Sequence, residues 1–173
     1  MGFAEGTRFL GVLAVVAVLG AGTLLVVPRH PALAPVRQHA VALAGLVALV
    51  STAGSLWLSE GVGLVPCTLC WVQRAAMYPL AVLLPLLALR PSRWGVRLTA
   101  ALGVAGLAVS SWHVLVQQVP SLSGSVSCSA TAPCSAALVE VFGLLTIPAM
   151  AACGFVAVLT LLLRSAPDPR LLP

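Results

Sequence analysis

The sequence predicts an all-α integral membrane bundle, and three observations predict it. Sixty per cent of the 173 residues are hydrophobic and 8% are charged, and the mean hydropathy is +1.09, too apolar for a soluble core. Five separate apolar runs are each long enough to cross a hydrocarbon layer of about 30 Å, which takes roughly 20 helical residues. None of these runs alternates with the period of a strand, which excludes a barrel, and backbone amides in lipid must bond within their own segment.

The first run covers residues 9–27. Ala32-Leu33-Ala34 resembles the small-residue site at which a signal peptide is cleaved. Pro35 is unfavourable for cleavage there, and a cleaved signal would put the Arg-bearing segment that follows it outside. A retained extra span with its N-terminus outside is the expected reading. The second run covers 40–58, and the third covers 71–89, with Pro79 and Pro85 as tolerable kinks. The fourth covers 96–118 and the fifth 143–163.

All nine basic residues are Arg, and the net charge of +5 comes from small clusters between the runs. That pattern argues against nucleic acid as a partner and for orientation in a bilayer. Arg29 and Arg37, then Arg90, Arg93 and Arg97, then Arg164 and Arg170 lie in three segments that the positive-inside rule places in the cytoplasm. Segments 59–70 and 119–142 then face outward, with Arg8 and Arg74 as the two basic exceptions. Trp57, Trp71 and Trp112 fall near outer helix ends and Trp94 near the inner face, which suits aromatic rings at headgroup level. No internal repeat or long linker is visible, so the chain reads as one bundle.

Cys67-Thr68-Leu69-Cys70 stands on the outer side just before the third run, with Pro66 in front. Both sulfurs lie close to a helix N-terminus, where the macrodipole favours a thiolate. Arg74 is four residues after Cys70 and so one turn along the same face. The competing readings are a zinc half-site or a structural bridge for the pair, and snorkelling for the Arg. An oxidising outer face favours disulfides, and no second CxxC or His cluster in the sequence completes a zinc site, so no metal is expected. A c-type haem is disfavoured because Trp71 stands where that motif needs His.

The second pair, Cys128 and Cys134, lies in the other outer segment among small residues, which leaves the sulfurs accessible. Closing so short a loop would stabilise the fold by roughly 2–3 kcal/mol, which is the structural alternative to exchange chemistry. Thiolate attack through mixed disulfides would let an exposed loop pair take electrons from a soluble partner and a pair at the membrane surface hand them on. Quinone is the two-electron acceptor that a membrane offers at that depth, and the sequence has no flavin or nucleotide fingerprint. Cys153, within the last run, reads as a small buried hydrophobe. His113 is a packing histidine or else a quinone neighbour or proton carrier. Tyr78 reads as structural, and Glu60 and Glu140 as solvated charges.

Pro66-Cys67-Thr68-Leu69-Cys70-Trp71-Val72-Gln73-Arg74 with Met77-Tyr78-Pro79, Ser111-Trp112-His113 followed by Val116-Gln117, the loop ending in Pro133-Cys134, and Phe142-Gly143-Leu144-Leu145-Thr146-Ile147-Pro148 follow one another in order. In these residues the chain resembles the disulfide bond formation protein B (DsbB) family, especially the branch with a short-spaced second pair, often called BdbC. The resemblance implies a four-helix core with both ends cytoplasmic, to which one N-terminal transmembrane helix is added here. It divides the chain into 1–39 (extra helix and cytoplasmic linker), 40–164 (redox core) and 165–173 (cytoplasmic tail). It further implies that Cys67 and Cys70 reduce quinone, either ubiquinone or menaquinone, with Cys70 beside the ring and Arg74 assisting. Cys128 and Cys134 would reoxidise a secreted thioredoxin-like thiol oxidase of DsbA/BdbD type, with Cys128 forming the mixed disulfide. Both pairs would face outward from the cell membrane.

Three other readings compete. The vitamin K epoxide reductase-like family also joins loop cysteines, a CxxC and quinone, but there the loop pair precedes the CxxC. For a non-enzymatic assembly protein with structural disulfides, serine at these cysteines would affect level or folding but not partner oxidation. A reductase conduit needs a cytoplasmic thiol donor, and no cysteine lies in the predicted cytoplasmic segments.

Overall fold

A computed structural model describes residues 2–27, 30–125, 128, 132–143 and 145–165. Helix α1 spans Phe3–Val26; a 3-10 turn, Pro31–Leu33, and the short α2, Ala34–Gln38, lead into α3, Ala40–Leu56. Helix α3 continues into a π turn, Trp57–Gly61, before α4, Thr68–Leu89, and α5, Arg93–Gln118. A 3-10 segment, Pro120–Ser125, and a hairpin of β1, Glu140–Val141, and β2, Leu145–Thr146, precede α6, Ile147–Arg164. Five of these helices are long and apolar enough to cross a membrane, as the composition predicts. Arg29 and Arg170 of the charge argument lie outside the described residues.

Several span edges differ from expectation, and the two largest differences have local reasons. Helix α1 starts at Phe3 because its polar first turns satisfy themselves: Glu5 accepts from the Gly2 amide, and the Thr7 hydroxyl donates to the Phe3 and Ala4 carbonyls. Helix α6 starts at Ile147 because the residues before it form a hairpin, pairing Glu140 with Thr146 and Val141 with Leu145. That hairpin turns through left-handed backbone at Phe142 and Gly143, where φ is 57° and 69°, a conformation that costs glycine little. Pro148 then occupies the first turn of α6, where its missing N–H is harmless.

Helices α3 to α6 form the core: α3 packs on α4 and α6, α5 packs on α4 and α6, and α1 lies against α6. Lipid supplies no hydrophobic drive between helices, so small residues that allow close approach dominate the interfaces. Ala40, Ala44 and Ala48 of α3 are buried at four-residue spacing, and Thr99, Gly103, Gly106, Ser110 and His113 form the buried stripe of α5. One buried cluster centres on Leu80, Leu84, Phe155 and Val158; a second gathers Cys67, Leu69, Val116, Ala132 and Cys134 at the end of the bundle where α4 begins.

Candidate redox site

Cys67 is the N-cap of α4, in extended backbone after Pro66, and its sulfur accepts from the Cys70 amide at 3.3 Å. A cap normally uses a Ser, Thr, Asn or Asp oxygen; here sulfur fills that position. The helical turn then brings Cys70 Sγ to 2.8 Å from Cys67 Sγ. Cys67 is buried and Cys70 half-buried.

His113 reaches this pair from α5, 2% exposed. Its Nε2 lies 3.7 Å from Cys67 Sγ and 3.1 Å from the Cys134 carbonyl, while its Nδ1 lies 3.1 Å from Gln73 Nε2. An amide nitrogen only donates and a carbonyl only accepts, so Nδ1 is the acceptor and Nε2 carries the proton. That proton faces both Cys67 and the loop. The Cys67 thiol is held far below the usual range, at about 4: the Cys70 thiol's hydrogen bond contributes most, and His113 and the Cys70 amide add to it against the opposing effect of burial.

Cys128 and Cys134 form a disulfide with a Cα–Cα distance of 5.9 Å. Cys128 is half-buried, but Cys134 is 3% exposed. The expectation that small neighbours leave both sulfurs accessible therefore holds at most for Cys128. Two donors of α5 draw the other half of the loop inward: His113 Nε2 holds the Cys134 carbonyl, and Gln117 Nε2 holds the Ala136 carbonyl at 3.2 Å. Cys67 Sγ, a His113 ring nitrogen and Cys134 Sγ consequently lie within 4.8 Å of one another. The sequence shows no His cluster beside the CxxC; the fold brings one histidine and one further cysteine to it. With Cys134 in a disulfide its sulfur is no thiolate donor for a metal, so this juxtaposition is one of thiol and disulfide.

Arg74 points toward α3. Its Nε donates to Ser55 Oγ and its Nη2 to the Ser55 carbonyl, both at 2.9 Å, just before the π turn. The guanidinium lies 5.2 Å from the Trp71 ring centroid and 5.9 Å from that of Tyr78, whose hydroxyl donates to Ser55 Oγ at 3.4 Å. Such cation–π contacts contribute about 0.5–2 kcal/mol each, depending on desolvation. The Arg is thus fixed in place, and Tyr78 helps hold it. A cavity of about 380 Å³ opens beside Cys67, Cys70, Arg74 and His113 and continues between apolar helix faces.

Cys153, half-buried in α6, is not part of this cavity. Glu60 and Glu140 are exposed. Ser55 and the functional contacts of Gln73 and Gln117 escape the sequence reading. Spacing contains a signal for two of them: Gln73 is the polar member of the buried series Leu69, Gln73, Ala76, Leu80 on α4, and Ser55 continues the Ala44, Ala48, Ser51 series on α3.

A helical membrane bundle that sets a CxxC thiol against a loop disulfide is a membrane thiol–disulfide oxidoreductase. The profile of the disulfide bond formation protein DsbB family matches residues 37–164, and the chain belongs to that family. It is 35% identical to disulfide bond formation protein C of Bacillus subtilis over 66% of this chain and 83% of that protein. It is 37% identical to a "probable disulfide formation protein" of Metapseudomonas resinovorans over 73% of this chain and 90% of that one. A Coxiella burnetii protein described in the same words is 37% identical, with 65% and 77% covered. No solved structure matches the chain.

Proposed function

We propose that this chain reoxidises a secreted thioredoxin-like dithiol protein of DsbA/BdbD type and delivers the electrons to membrane quinone, ubiquinone or menaquinone. One observation carries the reading: Cys67 stands between the two pairs, within 4.8 Å of Cys134 and 2.8 Å from Cys70. The Arg distribution supports an extracytoplasmic position for both pairs, since Arg37, Arg90, Arg93, Arg97 and Arg164 lie at or beyond the helix ends opposite the cysteines.

A partner thiolate attacks Cys128 Sγ, the more exposed sulfur of the loop disulfide, and Cys134 leaves as thiolate. The partner's second thiolate displaces Cys128, so the partner leaves oxidised and the loop pair is reduced. Cys134 then attacks Cys67 of an oxidised Cys67–Cys70 pair, and Cys70 leaves as thiolate beside Arg74. Attack by Cys128 on Cys134 restores the loop disulfide and leaves Cys67 and Cys70 as the dithiol. His113 Nε2–H donates to Cys67 whenever that sulfur is a leaving thiolate, which stabilises the charge where it develops.

The size and lining of the cavity support quinone as the acceptor. The cavity lies in the range of about 300–1,000 Å³ usual for small-molecule sites, is mainly apolar, and has its few polar groups at one end. Arg74 would hold a ring oxygen there and Cys70 would face the ring. Quinone would supply the acceptor for two electrons and two protons, closing the Cys67–Cys70 disulfide. Some such acceptor is required, because a strong periplasmic dithiol oxidant sits at about −120 mV and must be regenerated by something at least as oxidising.

The test uses purified protein in detergent with a reduced thioredoxin-like dithiol and a soluble quinone, followed by quinone absorbance. Cys70→Ser and Cys128→Ser are expected to abolish turnover, and Arg74→Ala to lower it about 10- to 100-fold, the worth of a charge-assisted hydrogen bond. Turnover that persists in the cysteine variants would sink the relay. Folded protein whose disulfides stay unchanged with several partners and quinones would favour a structural role.

A further inference from the structure

The cavity beside the cysteines does not end at Arg74 and His113. It runs along α3 from Ser55 and Gly54 to Val47 and Leu46, about 12 Å at the helical rise. Its opposite wall is α1: Leu10, Leu13, Ala14 and Ala17 line it. The family match begins at residue 37, so this wall lies outside the part of the chain that the family defines.

Helix α1 is seated tightly against the core. A Cβ on Gly6 would overlap the Trp57 ring, and one on Gly54 would lie 2.8 Å from Leu10 Cδ2. Glycine at both positions lets α1 approach the end of α3 that carries Ser55, the partner of Arg74. Farther along, Ala14, Ala21 and Leu24 are buried, while Val16, at 59% exposure, and the exposed Leu46 and Val50 edge the slot where it opens toward lipid. The polar groups thus cluster at the sulfur end and the remaining length is apolar, which matches a molecule with a polar ring and a hydrocarbon tail.

Building on the quinone reading above, we propose that α1 and α3 form a slot for the tail of the quinone, with Ala14 and Ala17 setting its width. The small side chains at these two positions leave the space; a ring at Ala17 would fill it. The helix outside the family core is therefore part of the acceptor site and selects for tailed over tail-less quinones.

Two measurements on the full chain test this. A benzoquinone with a photoreactive decyl tail is crosslinked to the purified protein and the adducts mapped by mass spectrometry, and equilibrium dissociation constants are measured for decyl and methyl forms of the same ring. Adducts on α1 between Leu10 and Ala17 are expected. Ala17→Phe should raise the dissociation constant of the decyl form about tenfold, the burial worth of roughly two methylenes, while that of the methyl form changes little. Leu19→Phe, on the exposed face of α1, is the control and should alter neither constant. Adducts confined to other helices, with decyl and methyl forms responding alike to Ala17→Phe, would overturn the slot and leave the quinone reading standing. Failure of the unsubstituted chain to bind either quinone would overturn the quinone reading itself, and the slot with it. An intact mass showing membrane-extracted protein cleaved ahead of Pro35 would also overturn it.

Discussion

At Cys67, three donors converge on one sulfur: the Cys70 thiol, the Cys70 amide and His113 Nε2. Its ionised form is therefore the stable one in the reduced protein, and the thiol's pKa lies near 4 against an ordinary thiol value of about 8.5. The sign follows from linkage. The unfolded chain holds its proton more tightly, so this group's contribution to the stability of the reduced fold is fully present above the ordinary thiol pKa. It is lost as pH falls through the window toward 4. Alkylation of the reduced protein at Cys67 should accordingly stay fast well below pH 8 and decline only in strongly acidic buffer. His113→Ala should move that midpoint upward. Gln73→Leu should do so less, because it frees the imidazole to exchange tautomers but leaves the ring in place. An alkylation profile with an ordinary thiol midpoint in the unsubstituted protein would contradict the arrangement. The sulfurs themselves were legible as a motif; the histidine's contact was not, because it joins residues 46 apart, a distance that only helix packing closes.

Among the elements, α5 shows how packing reaches the chemistry. Its buried stripe of Thr99, Gly103, Gly106 and Ser110 ends in His113, so whatever seats that stripe against α6 also sets the ring against Cys67. Gly106 is the closest point: a Cβ there would overlap the Phe155 ring, which is fully buried. Gly106→Leu should cost about 1–3 kcal/mol by overpacking and lower the thermal midpoint in detergent. It should also weaken the His113 effect on Cys67, seen as an alkylation midpoint shifted toward that of His113→Ala. Unchanged melting and alkylation would mean that α5 and α6 repack freely. The five spans were legible because 20-residue apolar runs allow little else in lipid. The π turn at Trp57–Gly61 and the 140–146 hairpin were not. The first straddles the end of the second apolar run and the second the start of the fifth, so no spacing marks either, and Arg74, from another element, holds the Ser55 carbonyl just ahead of the first.

For the whole molecule, orientation decides which chemistry is possible. Both cysteine pairs, the π turn and the start of α1 share one end of the bundle, since Gly6 packs on Trp57 and Gly11 faces Val141 of the hairpin. The opposite end carries Arg90, Arg93 and Arg97, together with Arg164, which donates to the Leu25 carbonyl at the other end of α1. On the proposed function, the positive-inside rule would turn that asymmetry into a direction, with α1 entering from outside. Had the bundle the reverse orientation, the loop disulfide would face thiol-reducing cytoplasm and an oxidase relay there would run against its surroundings. Single reporters separate the two arrangements in a background where the native cysteines are serine. Glu60→Cys lies at the sulfur end and Gln38→Cys at the Arg end, and both positions are exposed. A membrane-impermeant maleimide applied to intact cells stripped of their outer barrier should label the first at once and the second only after permeabilisation. The reverse pattern would place the pairs inside, exclude a secreted dithiol partner, and leave a cytoplasm-facing thiol–disulfide exchange as the reaction to explain.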